Sequence, residues 1–383
     1  MNKPTVQDIF RCFYPAYLEK YSPSPEQAKV ARNILNCKTG AYGANVSVCE
    51  DCGAVQIHYN SCCNRCCPMC QAVPKEMWMD ARREDVLDAP YFHLVFTVPD
   101  ILNPIIYNNQ KLLYDTLYHA ASATISELTA DPKHLGADVG YICILHTWGS
   151  EMNFHPHIHT ILLGGGLTSK NEWKDNGTEF FLPIRAVSKS FRGKYIDELK
   201  HLWNTGQLEF HGTAEKYRNY YVFKDLLDSC YDTEWIPYCK KTFNGAGSVI
   251  DYLGKYTHRI AISNHRIICM DDENVTFSVK DYRNKGQWKE LTLSGVEFIR
   301  RFLMHVPPKR FVRIRHYGLL CSRSKHKKLT LCRNLLGYQK YLSKLRGKEM
   351  PEILKQLYEI NICVCKSCGG HLGKPQLRKP QRC

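Results

Sequence analysis

The arrangement of the cysteines limits what this chain can fold into more than any other feature of its sequence. Of nineteen cysteines, eight lie between Cys37 and Cys70 and four between Cys363 and Cys383. The first residues, MNKPTVQDIFRCFY, lack the apolar core of a signal peptide, so we expect a cytoplasmic protein whose thiols stay reduced. Clustered cysteines in such a protein usually bind metal, and a segment with so few apolar residues needs an ion to hold it folded.

The first cluster contains two Cys-x-x-Cys pairs. Cys49 and Cys52 form one pair and Cys67 and Cys70 the other, with fourteen residues between the pairs. Each pair can turn both sulfurs toward one ion, which predicts a four-cysteine zinc site. The remaining residues allow a second site, with Cys63 or His58 as the fourth ligand beside Cys37, Cys62 and Cys66. Unligated thiols packed beside a single zinc ion are the alternative.

The second cluster lies in CVCKSCGGHLGKP near the end of the sequence. Cys365 and Cys368 form its Cys-x-x-Cys pair, and Cys363, His371 and Cys383 are further candidate ligands. We expect a structural zinc ion here that shapes a basic tail for contacts with phosphate.

The chain carries a formal net charge of +15, because its 52 lysines and arginines exceed its 37 aspartates and glutamates. This excess favours a polyanionic partner, since neutralising phosphates dominates nucleic-acid affinity. The charge is concentrated after residue 300, in PPKRFVRIRHYGLLCSRSKHKK. Candidate DNA contacts there are Arg313, Arg315, Arg323 and Lys325. No apolar run approaches the roughly 18 residues of a membrane helix, so we expect no membrane partner.

Hydrophobic periodicity predicts an α+β protein with a central antiparallel sheet flanked by helices. The predicted helices cover residues 22–35, 71–88, 108–130 and 248–261. The predicted strands cover residues 91–99, 141–149 and 157–163, with a hairpin over 275–294. No pattern is evident over 164–235.

We divide the chain into three regions. Residues 1–88 form an N-terminal helix and a zinc-binding, DNA-binding module, and residues 89–300 form the catalytic domain, with 164–235 as an insertion of unknown role. Residues 301–383 form a small basic C-terminal region.

Three histidines at alternate positions lie at the start of HPHIHTILLGGG (155–166), which contains the third predicted strand. On a strand, His157 and His159 project from the same face and can reach one ion. We expect His155 to stand outside that strand because Pro156 follows it. His146, on the preceding strand, is the favoured third ligand, and Glu151 is the rival. Three ligands leave coordination positions open, as a catalytic metal requires. The three glycines predict room for a backbone or a DNA strand to pass closely.

A second candidate site lies in DYLGKYTHR. Tyr252 and Tyr256 are four residues apart, so on a helix both phenols leave the same face. Lys255 lies where its charge could lower the pKa of a phenol or hold a phosphate. Such a tyrosine pair taken alone is more often packing than catalysis.

Taken together, these features resemble the HUH endonucleases, and the closest resemblance is to the two-tyrosine transposases of the insertion-sequence 91 family. Most of the chain takes part in the resemblance, through NSCCNRCCPMCQ, FHLVFTVP, ICILHTWGS, HPHIHTILLGGGL, DYLGKYTHRIAISNHRI and RIRHYGLL. Cys66 departs from the family pattern, which has histidine there; cysteine is an equivalent zinc ligand.

The resemblance implies single-strand DNA nicking and rejoining through a 5′-phosphotyrosine. Tyr252 would attack first and Tyr256 would make the second cut, while His157, His159 and His146 bind a divalent ion. The family suggests Mg²⁺ or Mn²⁺, and imidazole ligands favour the softer manganese. The implied partners are single-stranded ends of a mobile element and target DNA, with a host helicase as a further candidate.

Two rival functions share some of these features. A rolling-circle replication initiator or relaxase would have the histidines and tyrosines, but the cysteine module and the absence of a GxxxxGK[ST] motif disfavour it. A noncatalytic zinc-dependent DNA-binding regulator would have the cysteines and the charge. Aligned histidines and paired phenols would have no role in such a regulator.

Overall fold

The computed structural model describes residues 3–176, 182–235, 237–241, 249, 254, 261–281 and 286–380. Its helices are α1 (Val6–Lys20), α2 (Pro25–Asn36), α3 (Ala72–Arg83), α4 (Asn103–Asn108), α5 (Gln110–Ala130), α6 (Ile184–Asn204), α7 (Tyr220–Asp232), α8 (Gly295–Met304), α9 (Lys325–Leu336) and α10 (Met350–Tyr358). Its strands are β1 (Ala44–Val48), β2 (Val55–Tyr59), β3 (Tyr91–Thr97), β4 (Asp138–Trp148), β5 (Phe154–Leu167), β6 (Trp173–Asp175), β7 (Tyr238–Lys241), β8 (Ile267–Met270), β9 (Asn274–Asp281), β10 (Gln287–Ser294), β11 (Ile314–Gly318) and β12 (Gln376–Arg378).

An antiparallel sheet with the strand order β11-β4-β5-β3-β7 forms the centre of the protein, and β6 pairs with β5 beside it. Helices cover it, so the predicted α+β fold with a central antiparallel sheet is confirmed. β4 and β5 form its longest hairpin. They are apolar and largely buried because both faces of the sheet are covered.

One face of the central sheet packs against α5 and α6. Phe96 and Ile158 point to this side and are fully buried, as is Phe191 of α6. The rings of Phe96 and Phe191 lie 4.9 Å apart, centroid to centroid. Tyr118 of α5 donates its phenol hydrogen to the carbonyl of Arg313 and so ties the helix to the segment before β11. This face is the main apolar core of the protein.

The opposite face carries a smaller apolar cluster. Ile144 and Ile161 of the sheet belong to it, together with Met79 of α3 and Leu329 of α9. Since alternate residues of a strand share a face, the residues that continue this row along β5 are His159 and His157. The second face therefore changes from apolar to histidine-rich along the strand.

The two N-terminal helices pack on a second antiparallel sheet of order β10-β9-β8 through α8. Thr5 and Ser24 begin α1 and α2 as capping-box residues, which satisfies backbone N–H groups in the first turn. Phe10 of α1 meets Phe302 of α8 edge to face, with centroids 5.4 Å apart. The first residues of the chain thus pack against residues almost three hundred positions later.

A third sheet, of order β12-β1-β2, joins the two ends of the chain. β12 pairs with β1 in antiparallel register, with Ala44 opposite Arg378 and Val46 opposite Gln376. The basic tail is therefore a strand added to the cysteine-rich N-terminal region.

Most of the predicted elements are present in the structure. The helices over 22–35, 71–88 and 108–130, the strands over 91–99, 141–149 and 157–163 and the hairpin over 275–294 all correspond to observed elements within a few residues. The helix predicted over 248–261 lies, except for Val249, Gly254 and Ala261, outside the described residues.

Two features of the fold were not expected. Residues 164–235 were predicted to lack a pattern, yet they contain α6 and α7. β11, from the basic C-terminal region, is a strand of the central sheet. The boundaries at residues 88 and 300 stay predictions, and paired strands or packed helices cross both. None of the described helices combines the length and hydrophobicity needed to cross a bilayer.

Candidate active site and metal centres

Three histidines meet on the second face of the central sheet, at one end of the β4–β5 hairpin. His146 lies on β4 opposite His157 on β5, and His159 lies two residues further along the same strand. Their closest ring nitrogens lie within 4.8 Å of one another. The Nε2 atoms of His157 and His159 are 3.1 Å apart. This separation suits two ligands of one ion.

The ring nitrogens that face away from this group are held by hydrogen bonds. The Nδ1 atom of His157 lies 2.7 Å from the carbonyl oxygen of His155 and donates to it. The Nδ1 atom of His159 lies 2.8 Å from Nε2 of His93 on β3. A neutral imidazole that offers Nε2 to a metal carries its proton on Nδ1, so with a metal bound His159 would donate and His93 would accept.

His93 is a residue that the sequence analysis missed. It is buried, and its ring stacks on that of His159 with centroids 5.1 Å apart. The signal that would have found it is strand register, because His93 lies opposite Ile161 in β5 and thus shares a face with His159.

Burial controls the charge of these rings. It lowers the pKa of His157 to about 4, and it holds the pKa of His159 well below its ordinary value. Both rings are therefore neutral at physiological pH. Neutral imidazole is the form that binds metal.

Aromatic and charged neighbours surround the three histidines. Trp148 stacks on His146 with ring centroids 4.6 Å apart, and the guanidinium of Arg313 lies 5.7 Å from the centre of the Trp148 ring. Glu151, the rival third ligand, instead forms an ion pair of 3.2 Å with Lys289. Among the described residues, the favoured set of His146, His157 and His159 is the one that the structure brings together.

The expectation that His155 precedes the strand is wrong. β5 begins at Phe154 and includes both His155 and Pro156. Pro156 is tolerated because β3 no longer pairs beyond His157 and the β4 register is irregular there, so its missing N–H removes no ladder hydrogen bond. His155 contacts Asp100, with 3.1 Å between Nδ1 and Oδ1.

Tyr252, Lys255 and Tyr256 lie outside the described residues. Of the helix predicted over 248–261, Val249 and Gly254 lie nearest to these three residues among those described. Val249 is buried in the apolar cluster of Ile144 and Ile161, on the face that carries the histidines. Gly254 lies against α3, where an added Cβ would come 2.1 Å from the sulfur of Met79.

A cleft of about 430 Å³ separates Gly254 from the cysteine-rich region. Arg65 and Lys75 line it together with Glu76, which pairs with Lys75 at 3.4 Å, and His265 lines it from the segment after the tyrosines. Arg65 and Lys75 carry the charge that a phosphate backbone requires.

Among the described residues, eight cysteines form two groups of four. The proximal cysteine cluster consists of Cys37, Cys62, Cys67 and Cys70, and the joining cysteine cluster consists of Cys49, Cys52, Cys365 and Cys368. In each, all four sulfurs lie within 4.8 Å of one another. Four thiolates at such distances are a zinc-binding donor set.

The predicted distribution of ligands is therefore wrong. Cys49 and Cys52 do not meet Cys67 and Cys70, and Cys365 and Cys368 do not form a separate C-terminal site. The physical reason is the third sheet, in which β12 pairs with β1 and carries the tail to the N-terminal region.

Several other predicted zinc ligands lie outside both clusters. Cys66 is buried and its pKa is raised by that burial, while Cys63 is exposed and its sulfur contacts Ser61. His371 pairs with Glu50 at 3.2 Å. The remaining candidates are His58, on β2, Cys363, which is exposed, and Cys383, outside the described residues.

The four candidate DNA contacts have different surroundings. Arg313 is buried, which rules against a direct contact with DNA. Arg315 pairs with Asp115 and lies over the ring of Tyr118, and Lys325 pairs with Asp85 at 2.9 Å. Arg323 is exposed.

The glycines after the histidines allow neighbouring parts of the protein to pack closely against β5. A Cβ on Gly166 would lie 2.3 Å from the carbonyl oxygen of Asp138, and one on Gly165 would lie 2.4 Å from the ring of Trp173. Neighbouring backbone and side chains thus make the close approach that these glycines allow.

Comparison with known proteins relates the chain to transposases. A family model described as "Putative transposase" matches residues 140–328, and one described as "Transposase zinc-binding domain" matches residues 9–98. The chain is 41% identical to "Putative transposase y4qJ" of Sinorhizobium fredii over 87% of its own length and 84% of that protein. It is 30% identical to "Transposase for insertion sequence element IS801" of Pseudomonas savastanoi pv. phaseolicola over 78% of its length and 71% of that protein. No solved structure matches.

Proposed function

This chain belongs to the insertion-sequence 91 family of transposases, and on that premise we propose that it nicks and rejoins single-stranded DNA by tyrosine transesterification. It is thus a DNA-processing enzyme with a zinc-binding N-terminal region. The proposed substrates are the single-stranded ends of a mobile element and the target DNA, and a host helicase would supply the single strands.

The observation that carries this proposal is the group of His146, His157 and His159. A noncatalytic regulator has no need for three imidazoles whose ring nitrogens lie within 4.8 Å of one another. A structural zinc site closes its shell with four protein ligands, whereas three ligands leave room for a substrate oxygen.

These histidines would hold a divalent ion, proposed to be Mn²⁺ or Mg²⁺. When bound, the ion would polarise a non-bridging oxygen of the scissile phosphate. His93 and the carbonyl of His155 keep the two strand-β5 rings in the required tautomer and orientation.

Tyr252 is the proposed nucleophile. Its phenol oxygen forms a bond to the phosphorus, the bond from phosphorus to the 3′ oxygen breaks, and a proton passes through solvent to that oxygen. The products are a 5′-phosphotyrosine and a free 3′-OH, and attack by a 3′-OH reverses the step without ATP. Lys255 would hold the phosphate, and Tyr256 would make the second cut.

The burial of Val249 supports this assignment. Val249 lies three residues before Tyr252 and packs in the apolar cluster on the histidine-bearing face of the sheet. The segment that contains both phenols therefore begins on the same face as the proposed metal ligands. The two basic side chains that line the cleft beside Gly254, Arg65 and Lys75, support DNA binding next to this segment.

A nicking assay tests the proposal. The full chain is incubated with Mn²⁺ and a single-stranded oligonucleotide from an element end, labelled at its 3′ end. The 5′-phosphotyrosine product retains that label on the protein, so we expect a labelled protein band on a denaturing gel. Tyr252→Phe and His157→Ala should each reduce this band to background.

Tyr221→Phe is the matched control, because Tyr221 is an exposed phenol on α7 and should leave the band unchanged. Full adduct formation by both Tyr252→Phe and Tyr256→Phe would show that the nucleophile is misassigned. DNA binding by the wild type without any adduct would instead favour the regulator.

A further inference from the structure

We infer that a zinc ion joins the two ends of the chain at the joining cysteine cluster, bound by Cys49, Cys52, Cys365 and Cys368. The match to the transposase zinc-binding domain ends at residue 98 and so includes only half of these ligands. The other half comes from a tail more than three hundred residues away in sequence.

The distances between sulfurs fit a tetrahedral zinc site. The Sγ atoms of Cys49 and Cys368 are 3.5 Å apart, and those of Cys52 and Cys365 are 3.8 Å apart. Sulfurs bound to one zinc ion at about 2.3 Å in a tetrahedron lie about 3.8 Å from one another. A disulfide needs about 2.05 Å, so neither pair is a disulfide.

The two Cys-x-x-Cys turns have the same backbone geometry. The N–H of Cys49 donates to the carbonyl of Ala54, and that of Cys365 donates to the carbonyl of Gly370, five residues on in both cases. Each second cysteine is followed by a glycine with positive φ, Gly53 at 71° and Gly369 at 77°. Both glycines donate their N–H to the carbonyl of the first cysteine.

In the turn that contains Cys365 and Cys368, backbone N–H groups also donate hydrogen bonds to the cysteine sulfurs. The N–H groups of Ser367 and Gly370 lie 3.4 Å from the sulfurs of Cys365 and Cys368. Such bonds stabilise thiolates, which are the form that binds zinc. The geometry of this turn is therefore that of a zinc ligand pair.

Zinc at this cluster holds the basic tail in place. The tail residues between Cys368 and β12 also bond to the N-terminal region. The N–H of Glu50 donates to the carbonyl of His371, and the N–H of Gly373 donates to the carbonyl of Val48. These contacts continue into the pairing of β12 with β1. The ion and these backbone contacts together would set the positions of Lys374, Arg378 and Lys379 relative to the N-terminal region.

Zinc content, measured on purified full-length variants, tests this inference. Cys49→Ser/Cys52→Ser and Cys365→Ser/Cys368→Ser should each lose one zinc ion per chain relative to the wild type. The quadruple variant should also lose only one, because all four residues bind the same ion. Cys363→Ser, an exposed cysteine of the same tail, should lose none. Full zinc content in the tail variant, or loss of two ions in the quadruple variant, would overturn the inference.

Proteolysis of the wild-type chain provides a test that needs no variant. With zinc bound, trypsin should cleave slowly after Lys366 and Arg378. A chelator should raise the cleavage rate at these residues at least tenfold, and added zinc should restore protection. Equal cleavage with and without the chelator would contradict a zinc-held tail. Neither experiment depends on nicking activity, so the proposed function can fail while this inference stands.

Discussion

At the scale of single residues, His93 is not one of the proposed metal ligands, but it contacts one of them, His159. Nδ1 of His159 lies 2.8 Å from Nε2 of His93, and this contact orients the His159 ring with its Nε2 toward His157. Outer partners of this kind tune metal affinity, because an imidazole that can rotate loses entropy on binding the ion.

Replacing His93 with phenylalanine keeps a ring at this position but removes the acceptor. We expect the affinity for Mn²⁺ to fall about 10- to 100-fold. The nicking rate, measured against Mn²⁺ concentration, should show a higher half-saturating concentration with a smaller change in the maximal rate. His93→Gln offers an amide oxygen as an acceptor and should recover part of the affinity.

His119→Phe is the matched control, since His119 is exposed on α5. It should leave the Mn²⁺ dependence unchanged. If His93→Phe bound Mn²⁺ as tightly as the wild type, the positioning role of His93 would be excluded.

The three proposed metal ligands could be predicted from the sequence, whereas His93 could not. His157 and His159 follow from the two-residue period of a strand, and His146 follows from a hairpin between neighbouring strands. His93 belongs to a strand more than sixty residues earlier. Its position depends on the register between β3 and β5, which local sequence does not specify.

At the scale of elements, Gly166 of β5 shows how closely neighbouring strands of the central sheet approach each other. A Cβ on Gly166 would lie 2.3 Å from a backbone oxygen and 2.8 Å from a backbone carbon of Asp138. Neither atom can move without displacing β4. We therefore expect Gly166→Ala to lower the free energy of unfolding by about 1–3 kcal/mol, the usual range for overpacking, as measured by chemical denaturation.

Gly193→Ala is the opposite case, because Gly193 lies within α6 and an added Cβ meets nothing within 4 Å. It should raise the free energy of unfolding by about 0.5–1 kcal/mol. Equal effects of the two substitutions would show that the space at Gly166 does not matter. Since protein atoms fill that space, single-stranded DNA binding by folded Gly166→Ala should equal that of the wild type.

The helices α6 and α7 were not predicted, although the sequence of α6 contains a helical pattern. Val187, Phe191 and Tyr195 of α6 are buried at intervals of four, the period of a helix face. Lysines and arginines between them mask this pattern in a search for apolar runs. The strands β3, β4 and β5, by contrast, are rich in β-branched and aromatic residues and were predicted within a few positions.

At the scale of the whole molecule, contacts between distant segments determine which cysteines lie together. The sequence alone could not show this grouping. Two neighbouring Cys-x-x-Cys pairs predict a single zinc site, but each pair belongs to a different cluster. The choice depends on whether the tail reaches the N-terminal region, and β12 pairing with β1 is a contact across more than three hundred residues. Local spacing carries no information about such a contact.

The charge of the whole chain predicts how DNA binding depends on salt. With a net charge of +15, the affinity for single-stranded DNA should fall steeply as salt rises, because bound counterions are released. Each phosphate contact contributes about 0.7 to the slope of log affinity against log salt for single strands. Arg323 is exposed in the basic segment before α9, so Arg323→Ala should reduce the slope by about 0.7.

Arg315→Met separates this effect from a general loss of positive charge. Arg315 pairs with Asp115 and lies 4.0 Å from the centre of the Tyr118 ring, so its charge is already matched within the protein. We expect Arg315→Met to lower stability and to leave the salt slope unchanged in fluorescence-anisotropy titrations at several salt concentrations. If both variants reduced the slope equally, net charge alone would govern binding, and the assignment of a phosphate contact to Arg323 would be wrong.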